Sequence, residues 1–482
     1  MAHHLDTVCN MGRQPDPQVS FAEAELRAQG IVLDGTLKAI SDFINAEKDL
    51  VDRVHRDLVR GLKRPSAGRD GMTASRVLRS FILYRIKNWD LRELRERIAD
   101  GCTLRTFTDF GASPIPCHQT FNRSFNRITP ETIRVINDAV VQAAVKLHLE
   151  DGNKLRVDTT VVQTDIHFPT DCTLLWDTVR VITRLVHRLQ ERVSLHSPFP
   201  DRTRRARRRS HEISRMTRTQ RTRQQKAKYK DLLRITQNVI EKARVVCVEA
   251  QAIKGLDPLE GIIVDVLCRE ILDFCGHGER VVSQTRRRVL NEEKVPVEDK
   301  IFSIFEPHTD LIVRGKTDKP VEFGHKLFLA ESGAGLISEY RVLEGNPSDE
   351  DHVEPSLARH RALFGKAPRL YAGDRGFYTP DNVAQCGAEG VKLECIPFRG
   401  GGRSPEREAH QKSPAFKKGQ RFRAGIEGTI SVLFRGRGMK RCMSEGLEHF
   451  EVFVGVAVLA NNLMRIAALL SKRSARRKRK AA

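Results

Sequence analysis

Three acidic residues stand in segments of the chain that could bring their carboxylates to one place. Asp158 lies in the middle of residues 155–162, whose alternating apolar and β-branched side chains predict a strand. Asp374 follows a short apolar strand predicted within residues 370–377, and Glu427 falls in a helix-like pattern. A carboxylate inside a strand that packs on a core costs free energy unless a cation compensates it, and a divalent metal ion is the strongest candidate.

The residue types indicate which metal and which chemistry these acids would serve. Hard oxygen ligands without nearby His or Cys suit Mg²⁺ or Mn²⁺ rather than zinc. Two such ions can activate a water or a 3′-hydroxyl and stabilise the leaving oxygen of a phosphodiester. Asp165 and Asp171 are alternatives to Asp158 as the first ligand, but a position in the middle of a strand holds a ligand more rigidly than a loop does.

The overall charge predicts a polyanionic partner. The 482 residues include 83 Lys and Arg against 61 Asp and Glu, which gives a net charge of +22. Neutralised phosphates release counterions and so provide affinity without any reading of sequence. Nucleic acid is the first expectation for the partner, and an anionic membrane surface is the second.

The remaining composition argues against several other classes. The ten cysteines contain no CxxC pair, so neither a zinc ribbon nor a disulfide framework is indicated, and Cys275 with His277 is a weak metal signal. No signal peptide is visible at the start of the chain. The apolar residues 450–470 are interrupted by Asn461, Asn462 and Arg465, which predicts a buried helix rather than a membrane span. We expect a soluble protein of the cytoplasm, associated with the nucleoid and not with a membrane.

The periodicity before the first acid is helical. One amphipathic helix is predicted for residues 36–62, followed by a compact helical unit that begins near Thr73. Thr73, Asp90 and Thr129 are predicted N-caps. The third helix of this unit has a polar face that includes Arg123 and Arg127, which favours a DNA-binding module; a helical packing domain with a solvated face is the alternative.

A long helical region is predicted between residues 174 and 291, and its middle is strongly basic. Residues 202–230 hold 13 Lys or Arg against the single acid Glu212. Such a block repels itself, so we expect it to be mobile until it meets phosphate. Aromatic residues are almost absent from it, which favours contact with the DNA backbone rather than with bases. A solvated helical arm is the alternative. The candidate DNA-binding residues here are Arg204, Arg205, Arg207, Arg208 and Arg209.

Beyond residue 300 the pattern predicts a mixed α/β layout. The predicted elements are a strand at 301–305, a hairpin of 323–330 and 336–343 joined through Gly333 and Gly335, a helix up to about 360, the Asp374 strand, a helix from about 379, a strand at 391–397, a mobile basic loop at 399–420, the Glu427 helix, the 450–470 helix and a basic tail from 472. This layout can bring Asp158, Asp374 and Glu427 together despite their separation in the sequence.

Several segments resemble bacterial insertion-sequence transposases of the IS5-like and ISNCY groups. The most specific is the stretch from Asp158 to Asp177, which contains Val157-Asp158-Thr159-Thr160 and Leu174-Leu175-Trp176-Asp177. Ala372-Gly373-Asp374-Arg375-Gly376-Phe377-Tyr378 resembles the second catalytic Asp of these enzymes. Arg423 with Glu427 resembles their third acid and its upstream Arg. Many relatives carry Lys or Arg seven positions after that Glu; here Phe434 stands there, and Arg435 follows it.

The resemblance implies a fold, a cofactor and a substrate. It implies an RNase H-like mixed sheet with a long helical insertion after the first strand, preceded by an all-α N-terminal domain. It also implies a DDE triad of Asp158, Asp374 and Glu427 that binds Mg²⁺ or its substitute Mn²⁺. Arg423 and Arg435 would then be DNA-binding residues. The implied domains are an N-terminal helical segment at 1–66, a helical DNA-binding domain at 67–150, a catalytic domain at 151–471 with its basic insertion at about 174–295, and a basic tail at 472–482.

The activity expected from this resemblance is transposition. The enzyme would cleave phosphodiester bonds at the ends of its insertion sequence and join the 3′-OH ends to target DNA, as a homodimer or higher assembly on double-stranded DNA. The alternatives are an RNase H-like nuclease without strand transfer, and a catalytically inactive DNA-binding derivative. Metal-dependent nicking separates the last from the other two.

Overall fold

The computed structural model describes residues 7–8, 28, 32–64, 69–216, 223–313, 321–401 and 404–481. The chain divides into two compact units, one of residues 1–163 with 326–482 and the other of residues 164–325. Most of the predicted segment before residue 32, and residues 217–222 of the basic block, lie outside the described residues.

The first unit begins with a short parallel strand pair and a set of helices. These are β1 (Thr7–Val8), α1 (Gly35–Ala46), α2 (Lys48–Val59), β2 (Arg69–Asp70), α3 (Ala74–Lys87), α4 (Leu91–Asp100), α5 (Cys102–Phe107), α6 (His118–Phe125) and α7 (Pro130–Lys146). The prediction of one helix at 36–62 is wrong: the amphipathic pattern continues, but the backbone leaves the helical region at Glu47 (φ −106°, ψ 70°) and separates α1 from α2.

Three predicted helix starts are confirmed by their capping hydrogen bonds. The side chain of Thr73 accepts from the backbone N–H of Arg76, and that of Thr129 accepts from Thr132. The Asp90 carboxylate accepts from two backbone N–H groups at 2.8 Å. Each cap satisfies a donor that the first turn of a helix leaves without an intrahelical partner.

The predicted α/β class is confirmed, with a mixed sheet of seven strands among the described residues. The strands are β3 (Lys154–Thr164), β4 (Asp310–Val313), β5 (Val321–Ser332), β6 (Ile337–Val342), β7 (Leu370–Ala372), β8 (Leu393–Cys395) and β9 (Arg441–Cys442). In the first unit β3 lies between β5 and β7, with β8 beyond β7; β6 pairs with β5, and β9 pairs with β3. The pairs β3–β7 and β7–β8 are parallel, whereas β5–β6 is antiparallel. In the second unit β4 pairs antiparallel with residues 321–324 of β5.

The predicted hairpin is confirmed as β5 and β6. Its turn needs a left-handed backbone at Gly335, where φ is +83°. Glycine adopts this conformation without the steric cost that a Cβ would bring. The β4 strand, by contrast, was not predicted.

The remaining helices of the first unit follow the sheet strands in the chain. They are α12 (Val353–Phe364), α13 (Pro380–Ala388), α14 (Pro405–Lys412), α15 (Pro414–Gly436) and α16 (Leu447–Ala481). The prediction of a loop throughout 399–420 is wrong, because Ser404 and Ser413 each cap a helix whose first residue is proline. The predicted basic tail is also not separate, since α16 continues through it.

The second unit is mainly helical, as predicted. Its helices are α8 (Asp171–Gln190), α9 (Thr203–Ser214), α10 (Arg223–Ala252) and α11 (Pro258–Thr285), the last followed by a π-helical turn at Arg286–Leu290. The strand predicted at 301–305 is wrong. The Gln284 side chain accepts from the backbone N–H of Ile301 at 2.8 Å and donates to its carbonyl at 3.2 Å, so these groups are satisfied without a neighbouring strand.

Helix α16 is the core helix of the first unit. Its segment Leu447–Arg477 is long and apolar enough to cross a membrane, but about two thirds of its most apolar stretch is buried inside the protein. Val454, Ala457 and Val458 are fully buried among residues from the sheet and from α15. Core helices commonly pass the same length and hydropathy test, so the segment is weak evidence for a membrane span.

One of the two asparagines of α16 closes a buried polar network. The Asn462 amide donates to the Asn137 side chain and to the Ile337 carbonyl, and its oxygen accepts from the Ile337 N–H, each at 2.8 Å. These bonds join α7, β6 and α16. A buried network of this kind is stable because every member has a partner.

We expect Asn462→Ala to lower the free energy of unfolding by about 2–4 kcal/mol. The change removes the hydrogen bonds that Asn462 makes to the buried N–H of Ile337 and to Oδ1 of Asn137. The matched control is Asn461→Ala on the same helix, a half-buried residue whose change should cost about 0.5 kcal/mol. Urea unfolding of both variants measures the difference. Equal losses would contradict a structural role for the network.

Candidate active site

Asp158 lies on the central strand of the sheet in the first unit. Its neighbours in β3, Leu155, Val157 and Val162, are fully buried, which fixes the strand between β5 and β7. The Asp158 side chain is itself only 13% exposed, and its Oδ1 accepts from the backbone N–H of Thr159 at 2.8 Å. The predicted position of an acid within a strand is therefore confirmed.

Asp374 reaches the same place through the parallel pairing of β3 and β7. Arg156 is the register partner of Ala372, so Asp158 and Asp374 each stand two residues further along neighbouring chains that run in the same direction. Asp374 caps a short 3₁₀ turn, and its Oδ1 accepts from the Gly376 N–H at 2.7 Å. Both aspartates are thus held by their own backbone.

A single arginine connects these two aspartates with Glu427. Arg423 and Glu427 are one turn apart on α15, and their Nη1 and Oε1 atoms are 2.8 Å apart. Nη2 of Arg423 lies 3.3 Å from Asp158 Oδ2 and 3.8 Å from Asp374 Oδ2. Two oxygens at those distances from one nitrogen are separated by no more than the sum of the distances. The three predicted acids therefore lie together, around one guanidinium.

A buried ion pair positions α15 against the sheet. Arg156 of β3 donates to both carboxylate oxygens of Glu331 on β5, and its third nitrogen donates to the Phe422 carbonyl on α15 at 2.6 Å. Thr429, also on α15, donates to the same glutamate at 3.0 Å. The two contacts lie on either side of Arg423 and Glu427 in the helix, so they set the height at which these side chains meet the aspartates.

Two glycines allow α15 to approach the sheet closely. A Cβ at Gly425 would lie 2.1 Å from Nη1 of Arg156, and one at Gly419 would lie 2.2 Å from Sγ of Cys395. Neither distance is possible between real atoms. A larger residue at either position would force the facing side chain or the helix to shift.

Burial dominates the electrostatics of Asp158. Loss of hydration raises the pKa of Asp158 from 3.8 to about 6; the charge of Arg423 opposes this rise, and the neighbouring Asp374 adds to it. The ion pair with Arg423 is therefore too weak to offset the cost of burying the charge. A further cation at this position would favour the ionised form.

Sequence reasoning missed a fourth acid beside the site. Asp349 accepts a hydrogen bond from the Thr159 hydroxyl at 2.9 Å, and Lys326 of β5 is 2.7 Å from its carboxylate. A Cβ placed on Gly376 would lie 2.7 Å from Oδ2 of Asp349 and 3.0 Å from Oδ1 of Asp374. Asp349 is therefore a close neighbour of Asp374. The sequence pattern around Asp349 indicates only a turn or a helix cap. The available signal was Lys326, a charged residue in a strand that is otherwise mainly apolar.

The two alternatives for the first ligand lie elsewhere in the chain. Asp165 and Asp171 belong to the second unit, where Asp171 is buried and pairs with Arg288 at 2.6 Å. Asp158 shares Arg423 with Asp374 and Glu427.

The predicted DNA-binding arginines fall into two groups. Some are already bound within the protein: Arg127 donates to the Arg60 carbonyl, Arg423 binds the acids, and Arg205 and Arg209 pair with Asp231. The others have exposed side chains: Arg123, Arg204, Arg207, Arg208 and Arg435.

The donor set of the site suits a hard divalent cation. Asp158, Asp374 and Glu427 offer only carboxylate oxygens, the ligands that Mg²⁺ and Mn²⁺ prefer. Across the part of the chain that the structure describes, no group of three or more His, Cys, Asp or Glu residues is arranged as a metal centre. At this site the compensating cation is the protein's own guanidinium. No family model, curated protein or solved structure matches the chain.

We expect Asp158→Asn to stabilise the metal-free protein at pH 8 but not at pH 4. Because its folded-state pKa of about 6 is above its ordinary value of 3.8, the folded chain binds this proton more tightly than the unfolded chain. The resulting stability is complete below the ordinary pKa and is lost as the pH rises through about 6. The gain at pH 8 is at most about 3 kcal/mol.

Urea unfolding in EDTA from pH 4 to pH 8 measures this effect. Asp52→Asn, at an exposed position on α2, is the matched control. A constant difference between Asp158→Asn and wild type across this range would contradict the raised pKa.

Proposed function

We propose that this chain is a metal-dependent DDE transposase, which cleaves phosphodiester bonds at the ends of its insertion sequence and joins the 3′-OH ends to target DNA. The observation that carries the proposal is the shared contact of Asp158, Asp374 and Glu427 with one guanidinium. Three acids separated by more than 50 residues each are brought together by a central strand, the end of its parallel neighbour and a late helix. The sequence resemblance singled out these same residues.

The sheet supports an RNase H-like fold as the finer assignment. A central strand carries the first acid, an antiparallel hairpin lies on one side of it, and two parallel strands lie on the other. The second acid follows the adjacent parallel strand. The connection after β3 leads into the helical second unit, as expected of a helical insertion after the first strand.

The proposed roles follow from how firmly each side chain is held. Asp158 and Asp374 are fixed by backbone N–H groups, so they can hold a divalent ion in a constant place. Glu427 is 64% exposed and, among the described residues, is bound only to Arg423, so it can reorient when DNA arrives. Bound Mg²⁺ or Mn²⁺ would activate the attacking hydroxyl and stabilise the leaving oxygen. In the protein without metal, Arg423 neutralises the acids. Once a metal ion neutralised them instead, Arg423 could contact a phosphate of the DNA.

The second candidate function is DNA binding without cleavage. What favours it is Arg423 itself, because a guanidinium that stays among the acids occupies the position of a catalytic cation. Metal-dependent nicking distinguishes the two candidates. If the protein nicks DNA but yields no joined product, the assignment changes from a transposase to a hydrolytic nuclease with the same site.

We expect Asp374→Asn and Glu427→Gln each to reduce nicking and joining by about a hundredfold or more, since about 2.7 kcal/mol of lost transition-state stabilisation is enough for that effect. Folding and DNA affinity should be retained, because both depend on residues outside the site. The assay follows a supercoiled plasmid that carries the DNA flanking the gene, with Mg²⁺ present.

The matched controls are Asp381→Asn and Glu406→Gln, exposed acids on α13 and α14 that should leave nicking unchanged. Wild-type nicking by Asp374→Asn would rule out the proposed role of this residue. Absence of nicking by the wild-type protein on every DNA would favour the DNA-binding derivative.

A further inference from the structure

Helix α9 presents a continuous basic surface on one side only. Five exposed side chains share this side of the helix and lie at spacings of three and four residues. They are Arg204, Arg207, Arg208 and His211 within α9 and Arg215 at its C-cap. We call these five residues the α9 stripe. On the opposite side Ala206, Ser210 and Ile213 are buried in the core of the second unit. The stripe thus belongs to a helix that is packed, not to an arm in solution.

The other arginines of α9 are used to hold it in place. Arg205 and Arg209 lie 2.6 and 2.7 Å from the two carboxylate oxygens of Asp231 on α10. Arg209 also binds Glu212 at 2.7 Å, and Lys228 of α10 binds the same glutamate at 2.5 Å. Since these contacts already use their charges, Arg205 and Arg209 are anchors of the helix and poor candidates for a ligand.

The stripe arginines are different, because they form no ion pair or side-chain hydrogen bond with any residue that the structure describes. Arg204 and Arg215 are separated by about 16 Å along a helix of 1.5 Å per residue, with two further guanidinium groups between them. Together with Glu212, the stripe lines a cavity of about 530 Å³. Four like charges so close together repel one another, and an external polyanion would relieve that repulsion.

We propose that the α9 stripe binds the phosphate backbone of double-stranded DNA without reading its sequence. Guanidinium groups bind phosphate oxygens in pairs of parallel hydrogen bonds, and a row of them suits a polyanion with regularly spaced charges. The stripe contains no Phe, Tyr or Trp side chain on which a base could stack. It therefore supplies backbone affinity of the kind that lets an enzyme hold any target duplex.

An anionic membrane fits this surface less well. A helix that binds a bilayer surface needs an exposed apolar face to insert beside its basic one. The apolar residues of α9, Ala206 and Ile213, are instead buried within the unit. Charge is thus the only attraction that the exposed side of this helix offers.

The inference rests on the proposed function only for the choice of DNA as the polyanion, and its test needs no cleavage. The variant changes Arg204, Arg207, Arg208 and Arg215 to Gln. The charge-matched control changes four exposed arginines on α8 and α11 of the same unit: Arg184, Arg188, Arg269 and Arg280. Affinity for an unrelated 30-base-pair duplex is measured by fluorescence anisotropy over a range of salt concentrations.

We expect the log–log slope of affinity against salt to fall by about 0.9 for each phosphate that the stripe variant no longer neutralises. The control should keep most of the wild-type slope. The double variant Arg207→Gln/Arg208→Gln should show about half the decrease, and it decides the matter should the fourfold variant fail to fold. Circular dichroism melting checks that each variant is folded.

An equal decrease of slope in variant and control would overturn the inference, because the effect would then follow net charge and not the stripe. An unchanged slope in the stripe variant would overturn it too. The inference would also be overturned if the stripe variant lost binding to phosphatidylserine vesicles while its binding to DNA stayed intact. If the slope decreases in the stripe variant while the wild-type protein never nicks DNA, this inference stands and the proposed function falls.

Discussion

The candidate site depends on the compensation of three carboxylates by one guanidinium. Asp158, Asp374 and Glu427 would repel one another if brought together alone, and burial already makes the charge of Asp158 costly enough to raise its pKa to about 6. Arg423 makes the arrangement possible in the protein by itself, since its two terminal nitrogens reach all three acids. The compensation is incomplete, since the pKa of Asp158 stays raised although Arg423 lies beside it.

The elements around the acids act by limiting where Arg423 can be. Parallel pairing of β3 and β7 brings the two aspartates level with each other, and the pair of Arg156 with Glu331 fixes α15 above them. A buried ion pair contributes little net stability, but removal of one partner leaves a buried charge and is strongly destabilising. Its value here is in position, because the same Arg156 also binds the backbone of α15 one residue before Arg423. The close approach at Gly425 leaves this helix little freedom to slide.

The parts of the fold that could be predicted from sequence are those that depend on local interactions. The caps at Thr73, Asp90 and Thr129 need only a side chain and the next turn of backbone, and the β5–β6 hairpin needs only alternation and a glycine turn. The errors arose where a distant group or a cap within a biased composition decided the outcome. Residues 301–305 look like a strand, yet the Gln284 side chain takes the place of a neighbouring strand for Ile301. Asp158 could be named because an acid in the middle of an apolar strand is unusual, and Asp374 and Glu427 because their segments resemble those of a known family. Asp349 could not be named, since a turn is where an Asp is ordinary.

The number of charges in the basic block does not predict which of them form an exposed surface. In sequence its arginines are equivalent, but in the folded unit Arg205 and Arg209 pair with Asp231 whereas Arg204, Arg207 and Arg208 are exposed. Burial opposes the ionisation of Asp231, but hydrogen bonds from Arg209, Arg205 and Arg234 outweigh it and hold the pKa of this carboxyl below its ordinary value. Asp231 is therefore ionised at neutral pH and pairs with Arg205 and Arg209 of α9, whereas the other arginines of this helix are exposed. A helix with a random distribution of the same charges would spread them over all sides. The pairs with Asp231 on the neighbouring helix, together with the burial of Ala206, Ser210 and Ile213, thus leave the remaining positive charge of α9 on its exposed side.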